Sequence, residues 1–255
     1  MKLFDLSGTT SIVLGGNGVL GGAMSVALGA HGARVAIVGR NMDKAEEVKK
    51  QVEEAGGEAL CIQADVTSES DLQETLRQVV AWGGGVDTVV NCSGTNSATP
   101  FFELKMDEWD RIMDVNLKSV VVSSQIFGKH MIDQGRGGSI INISSVSSEP
   151  PLSRVFTYSA SKAGVNSVTK FLAREFAPHD IRVNAIIPGF FPAEQNRKIL
   201  SEDRINSIMT HTPMNRFGNP EELQGAVVYL AAKQASSFVT GTLLRVDGGF
   251  GAMTI

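Results

Sequence analysis

Ser11-Ile12-Val13-Leu14-Gly15-Gly16-Asn17-Gly18-Val19-Leu20-Gly21-Gly22-Ala23-Met24-Ser25-Val26-Ala27-Leu28 is the stretch on which the reading of the fold turns. Its first four residues are an apolar run of strand length, and its last six read as a helix. Between them lies a glycine-rich turn. Strand, turn and helix in that order make a phosphate-binding context. Glycines permit a tight turn and close backbone approach, and the helix start offers free N–H groups and the positive end of its dipole. Glycine-rich turns are common in loops; the flanking strand and helix give this one its meaning.

The same alternation runs outward through the chain. Further strands are expected at Arg34 to Val38, Ala59 to Gln63, Asp87 to Asn91, Ser139 to Ile143, Ile181 to Ile187 and Leu243 to Val246. Helices are expected at Asp43 to Ala55, Glu69 to Trp82, Asp107 to about Gln134, Tyr158 to Phe176 and Pro220 to Ala232. Gly56-Gly57 and Gly83-Gly84-Gly85 stop two of them. Strands alternating with helices at this spacing predict an α/β fold: a Rossmann-like doubly wound parallel sheet of about seven strands, with helices on both faces. No linker, repeat or charge block divides the 255 residues, so a single dinucleotide-binding domain is expected. Residues 190–213 interrupt the alternation and are the candidate substrate lid.

Composition narrows the function. A net charge of −4 with no basic run gives no reason to expect nucleic-acid binding. No apolar stretch is long enough to span a bilayer, and Met1 to Leu6 lacks a signal peptide's apolar core. Cys61 and Cys92 sit in apolar runs without ligand spacing, so they read as reduced thiols of a cytoplasmic protein and no metal is expected.

Chemistry enters at Tyr158-Ser159-Ala160-Ser161-Lys162. Residues i and i+4 share a helical face, so the phenol and the ammonium can enter one cleft. A nearby ammonium favours phenolate, which would make Tyr158 a proton donor and acceptor near neutral pH. Alone, this spacing also describes a surface pair brought together by chance. Arg40 follows the second strand where no acid is available. An acid there would hold a ribose 2′-hydroxyl, whereas an arginine suits a 2′-phosphate, so NADP(H) is the expected cofactor, with NAD(H) possible. A solvated loop arginine is the plainer alternative. Asn116, a poor helix former within a long helix, is either a satisfied core residue or a functional one.

In order and spacing these pieces resemble the short-chain dehydrogenase/reductase family over essentially the whole chain. The resemblance is carried by the turn from Gly15 to Gly21, Asp65-Val66, Asn91-Cys92-Ser93-Gly94, Asn116, Ser145, Tyr158, Lys162, Pro188-Gly189 and Val246-Asp247-Gly248-Gly249. Ser145 precedes Tyr158 by thirteen residues, a spacing common in the family. Gly18-Val19-Leu20-Gly21-Gly22-Ala23-Met24, Pro188-Gly189-Phe190-Phe191, Glu194-Gln195-Asn196-Arg197 and His211-Thr212-Pro213-Met214 resemble its sugar-acid branch, the D-mannonate (fructuronate-type) oxidoreductases.

The resemblance implies a catalytic set of Asn116, Ser145, Tyr158 and Lys162. It implies a cofactor site of Gly15, Asn17, Gly18, Val19, Leu20, Gly21, Arg40, Asn41, Asp65, Val66, Asn91, Gly94, Tyr158, Lys162, Pro188 and Gly189. Tyr158 would exchange the proton as hydride moves to or from the nicotinamide; Lys162 would stabilise tyrosinate and hold the ribose. Ser145 would donate to the substrate oxygen, and Asn116 would hold a water that relays protons to Lys162. Ser144 is the rival serine, but strand neighbours face opposite ways. Val19 stands where the family's turn has glycine, and Ala193 where it often has threonine.

A small-molecule substrate follows. Arg154 in the loop after Ser145, and Gln195, Asn196 and Arg197 in the lid, suit a polyhydroxy carboxylic acid. Two solvated arginines are the plainer alternative. A 3-oxoacyl-thioester reductase and a non-catalytic dinucleotide-binding regulator are the competing functions. Apolar residues over much of two helices, such as Val120, Val121, Val122, Ile126, Phe127, Val165, Val168, Phe171 and Leu172, predict a partner subunit, and family members are commonly homotetramers.

Overall fold

The computed structural model describes residues 3–191 and 201–253. All seven expected strands form: β1 (Thr10–Leu14), β2 (Arg34–Gly39), β3 (Glu58–Gln63), β4 (Thr88–Asn91), β5 (Gly138–Ile143), β6 (Ile181–Pro188) and β7 (Leu243–Val246). They make one sheet in the order β3-β2-β1-β4-β5-β6-β7, and every pairing is parallel.

Alternate residues of each strand serve opposite faces. Val13, Val35, Ile37, Val90 and Ile141 pack under α1 (Val19–Ala30) and α2 (Met42–Glu54). A C-terminal helix, Gln224–Ala231, joins that layer through Val227 and Leu230. Ile12, Leu14, Ala36, Val38, Val89 and Ile140 pack on the other face, under α3 (Glu69–Gly83) and two longer helices. Parallel strands buried on both faces read as continuous apolar runs.

The helix expected from Asp107 to about Gln134 forms, running from Met106 to Gln134 with one wide turn inside it. It comprises α4 (Met106–Met113), one π turn (Asp114–Lys118) and α5 (Ser119–Gln134), and the wide turn carries the fully buried Asn116. Single π turns inside helices mark places where the regular ladder yields to a local demand. Here the demand is Asn116's side chain, which is bonded outside its own helix. α6 (Phe156–Phe176) begins one half-turn before Tyr158. A short helix, α7 (Glu202–Thr210), lies within the expected lid, and Pro192 to Leu200 fall outside the described residues. The helix at Gln224–Ala231 is α8, and α9 (Lys233–Ser236) follows it. Among the described residues no helix is long and apolar enough to cross a membrane.

Candidate active site

The strand order reverses direction between β1 and β4, and open parallel sheets bind ligands outside the strand ends at such a point. The two strand ends touch here. Gly15 has φ +79°, and a Cβ on it would lie 2.9 Å from the Ser93 nitrogen. A Cβ on Gly21 would come within 2.2 Å of the Gly15 carbonyl, so only glycine lets α1 close onto the turn. Gly18 caps α1 without a side-chain hydrogen bond, and no acid occupies the first turn. Uncapped N–H groups at a helix start form an anion site. Val19, the residue in a glycine's place, is the first helical residue; it is half exposed and leaves the turn intact. Asn17 crosses to the end of β2, donating to the Asn41 carbonyl at 3.0 Å. The residues present therefore fit a dinucleotide's phosphates.

A cleft of about 850 Å³ opens over these strand ends. Its wall includes Gly15, Gly18 to Gly21, Gly94, Ser145, Tyr158, Lys162, Pro188 and Gly189. Arg154 also lines it. Ser144 and Ser145 divide as alternation requires. Ser144 Oγ donates to the Lys162 carbonyl at 3.3 Å, while Ser145 lies within hydrogen-bond reach of Tyr158. Ser145 Oγ accepts from the Ser147 N–H (3.2 Å) and hydroxyl (3.1 Å), which leaves its own proton to give.

The electrostatics correct one expectation. Burial raises Tyr158 above the ordinary phenol pKa, and Ser145's hydrogen bond opposes that rise only in part. Lys162 does not supply the expected depression. Its Nζ lies 5.7 Å from the Tyr158 ring centre and donates to the Ile143 carbonyl at 2.7 Å. Burial lowers Lys162 itself to about 8. Cys92 beside it is pushed up to about 11 by burial, so it is a neutral thiol.

Asn116 is committed locally. Its Oδ1 accepts from the Thr95 N–H (2.8 Å), and its Nδ2 donates to the Thr95 carbonyl (2.9 Å) and Ser161 Oγ (3.0 Å). Ser161 in turn donates to the Tyr158 carbonyl. A Cβ on Gly94 would lie 3.6 Å from Asn116 Oδ1 and 3.8 Å from Lys162 Nζ, so both polar atoms flank the space this glycine leaves.

Asn91 ends β4, one residue before Cys92 of the cleft. Its side chain does not line the cleft but is buried, donating to Asn142 Oδ1 (2.8 Å) and accepting from Ser123 (2.7 Å). The polar ends of β4 and β5 satisfy each other in the interior, where an unpaired amide would be costly. Arg40 is exposed and makes no ion pair among the described residues. Asn41 caps α2 through Lys44 N–H. Asp65 accepts from the Thr67 backbone and hydroxyl, which hold its carboxyl below the usual range, and Val66 is buried in the core beside it. Gln195, Asn196 and Arg197 lie outside the described residues. Sequence reasoning missed Thr95, Arg204 and Cys92 as cleft residues. Only the position of Arg204 within the expected lid pointed to it.

A model of the family described as enoyl-(acyl carrier protein) reductase matches residues 17–251. The chain belongs to the short-chain dehydrogenase/reductase family. Curated relatives of this short-chain dehydrogenase/reductase include the 2-dehydro-3-deoxy-D-gluconate 5-dehydrogenase of Escherichia coli, 38% identical over 98% of each chain. Another is 3beta-hydroxysteroid dehydrogenase 1 of Eggerthella lenta, 39% identical over 96% of this chain and 94% of that one. Among solved structures, a gluconate 5-dehydrogenase from Burkholderia cenocepacia, in complex with NADP and tartrate, is 32% identical with TM-score 0.92 over 98% of each chain. A Haemophilus influenza protein assigned as a D-mannonate oxidoreductase, with bound NAD, is 33% identical with TM-score 0.93, over 98% of this chain and 97% of that one. The protein is thus an oxidoreductase enzyme that uses a nicotinamide cofactor.

Proposed function

We propose that the protein interconverts a secondary alcohol and a ketone on a sugar acid, with Tyr158 as the proton carrier. The observation that carries this is the meeting of Ser145, Tyr158 and Lys162 in a cleft whose described wall holds Arg154, Lys162 and Arg204 but no Asp or Glu. An acid-free, cationic wall favours anionic ligands. The sugar-acid names among the relatives support the same reading. The cofactor, when bound, supplies or accepts the hydride. Tyr158 gives its proton to the nascent alkoxide, and Ser145 donates to the same oxygen where charge develops. Lys162, anchored on the Ile143 carbonyl, keeps further N–H donors for a ribose hydroxyl. Asn116 fixes Thr95 and Ser161; a water in the space beside Gly94 would connect it to Lys162.

NADP(H) is the preferred cofactor on this reading, because exposed Arg40 follows β2 and makes no ion pair among the described residues, with only the nearby Asp65 carboxylate acting on it electrostatically. The whole chain works as one cytoplasmic dinucleotide-binding domain, with residues 190–213 as the lid, and assembles as a homotetramer. The test is turnover of a sugar-acid panel with each cofactor. Tyr158→Phe is expected to lower kcat by about 10²–10⁴-fold while cofactor affinity holds. Arg40→Ala is expected to narrow the gap between the cofactors. A Tyr158→Phe enzyme of near wild-type activity, or preference for a steroid or acyl thioester over every sugar acid, rejects the proposal.

A further inference from the structure

We infer that Arg204 is the anchor for the substrate's carboxylate, and that the substrate completes a bridge between α7 and the loop that follows Ser145. The inference rests on the sugar-acid reading and names a residue for it. Arg204 lines the same cleft as Tyr158 and is half-buried there. One of its N–H groups, on Nη1, donates to Ser153 Oγ at 3.0 Å. It makes no ion pair among the described residues, and no described acid lines the cleft to neutralise it. A guanidinium has five donors in a planar fork, so a single neutral hydroxyl leaves most of them unspent.

Two further observations point to a ligand. Arg204 is the third residue of α7, in the first turn, where the helix dipole disfavours a cation. The helix therefore gains nothing from its charge. Arg154, across from it on the loop, also lines the cleft and is held at φ +70°, a left-handed conformation that an arginine adopts only at a cost. The Ser153–Arg204 bond joins these two segments.

Topology says which anion they face. The Gly-rich turn follows β1, whereas the Arg154 loop follows β5 and α7 follows β6, two strands that lie together on the other side of β4. The dinucleotide's phosphates belong at the β1 side, so the charge for Arg204 to meet is on the substrate. A carboxylate there would take the free edge of the fork in a charge-assisted pair. Arg154 would add a second cation from the facing loop. Binding an acid then draws α7 and the loop together, whereas a neutral analogue does not.

The test compares a six-carbon sugar acid with the polyol lacking its carboxylate, as a ratio of kcat/KM. Purified wild type, Arg204→Gln, Arg204→Lys and Ser153→Ala enzymes are assayed at saturating cofactor. Arg204→Gln is expected to cut the acid-over-neutral ratio by about 10–100-fold, the scale of one hydrogen bond to a charged group, and mainly through KM for the acid. Arg204→Lys keeps the charge without the fork and is expected to fall between. Ser153→Ala removes only the bridge to the loop and should retain most of the ratio. Cofactor affinity by fluorescence titration shows that each variant is folded. A folded Arg204→Gln enzyme with the wild-type ratio overturns the assignment to Arg204 while the sugar-acid reading stands. If Ser153→Ala loses the ratio as fully as Arg204→Gln, Arg204 acts by holding the loop and the inference is likewise overturned. A wild type with no preference for the acid removes both.

Discussion

At the scale of single residues, the site's protonation is set by burial more than by neighbouring charge. Lys162 is fully enclosed, and its pKa of about 8 lies well below an ordinary lysine's. Between that value and the ordinary one, the free folded enzyme holds a neutral amine where the unfolded chain holds an ammonium. The unfolded state then binds more protons, so this group's contribution to stability rises with pH across that window and is flat below it. An anionic cofactor laid beside Lys162 favours the ammonium, and by linkage its binding must take up protons wherever the free lysine is neutral. Cofactor binding measured calorimetrically in buffers of different ionisation enthalpy should show proton uptake that grows from pH 7 to 9. In a Lys162→Met enzyme that uptake should vanish. Uptake that is absent in the wild type, or persists in the variant, means that Lys162 is not the group that responds.

At the scale of elements, the strands were legible and their polar ends were not. Val13, Val35 and Ile141 announce buried parallel strands because both faces of each strand demand apolar residues. Asn91 announces nothing of its destination, since a strand-end amide can turn to the ligand or to a neighbouring strand. Packing decided for the interior. Asn142 links Asn91 on β4 to Thr169 on α6 (2.9 Å), while Ser123 on α5 completes the set. All four side chains are buried, so this chain of bonds ties two strands to α6, which carries Tyr158, and to α5, which follows the π turn of Asn116. The π turn was equally hidden, because its cause is the partner of Asn116 at Thr95, twenty-one residues earlier. Replacing Asn142 by leucine fits the volume but strands the Asn91 donor. An unsatisfied buried group costs about 1–3 kcal/mol. In a chain of this length each such kcal/mol lowers Tm by roughly 2–4 °C. A thermal melt of Asn142→Leu should therefore fall by several degrees, and a melt within one degree of wild type would show that the network carries no net stability.

At the scale of the whole molecule, the exposed apolar surface redistributes the contact expected of the proposed assembly. Of the helix residues named from sequence, Val120, Phe127 and Val165 are buried within the protomer, and Val122, Ile126 and Leu172 pack against its core. Phe171, 55% exposed, is the one of these left bare on α6, and Phe156 at the start of that helix is exposed as well. A larger patch gathers where α4 and α6 begin. Phe101, Phe102 and Met106 are exposed there, and Phe101 meets Phe156 edge-on with ring centres 5.1 Å apart. Phe102 is 98% exposed. Contiguous apolar patches of this kind mark contact surfaces more often than scattered single residues do. Fully burying one such side chain is worth about 1.5–3 kcal/mol, and symmetry repeats the gain at each copy of an interface. Light scattering at micromolar concentration should give four times the 27.2 kDa chain mass. Phe102→Glu should lower that mass, because it sets a charge in the middle of the patch. Phe171→Glu probes the α6 face separately, and the variant that dissociates identifies which face holds the copies together. A wild type that scatters as a monomer removes the tetramer, whereas a tetramer indifferent to both variants moves the interface away from these aromatic surfaces.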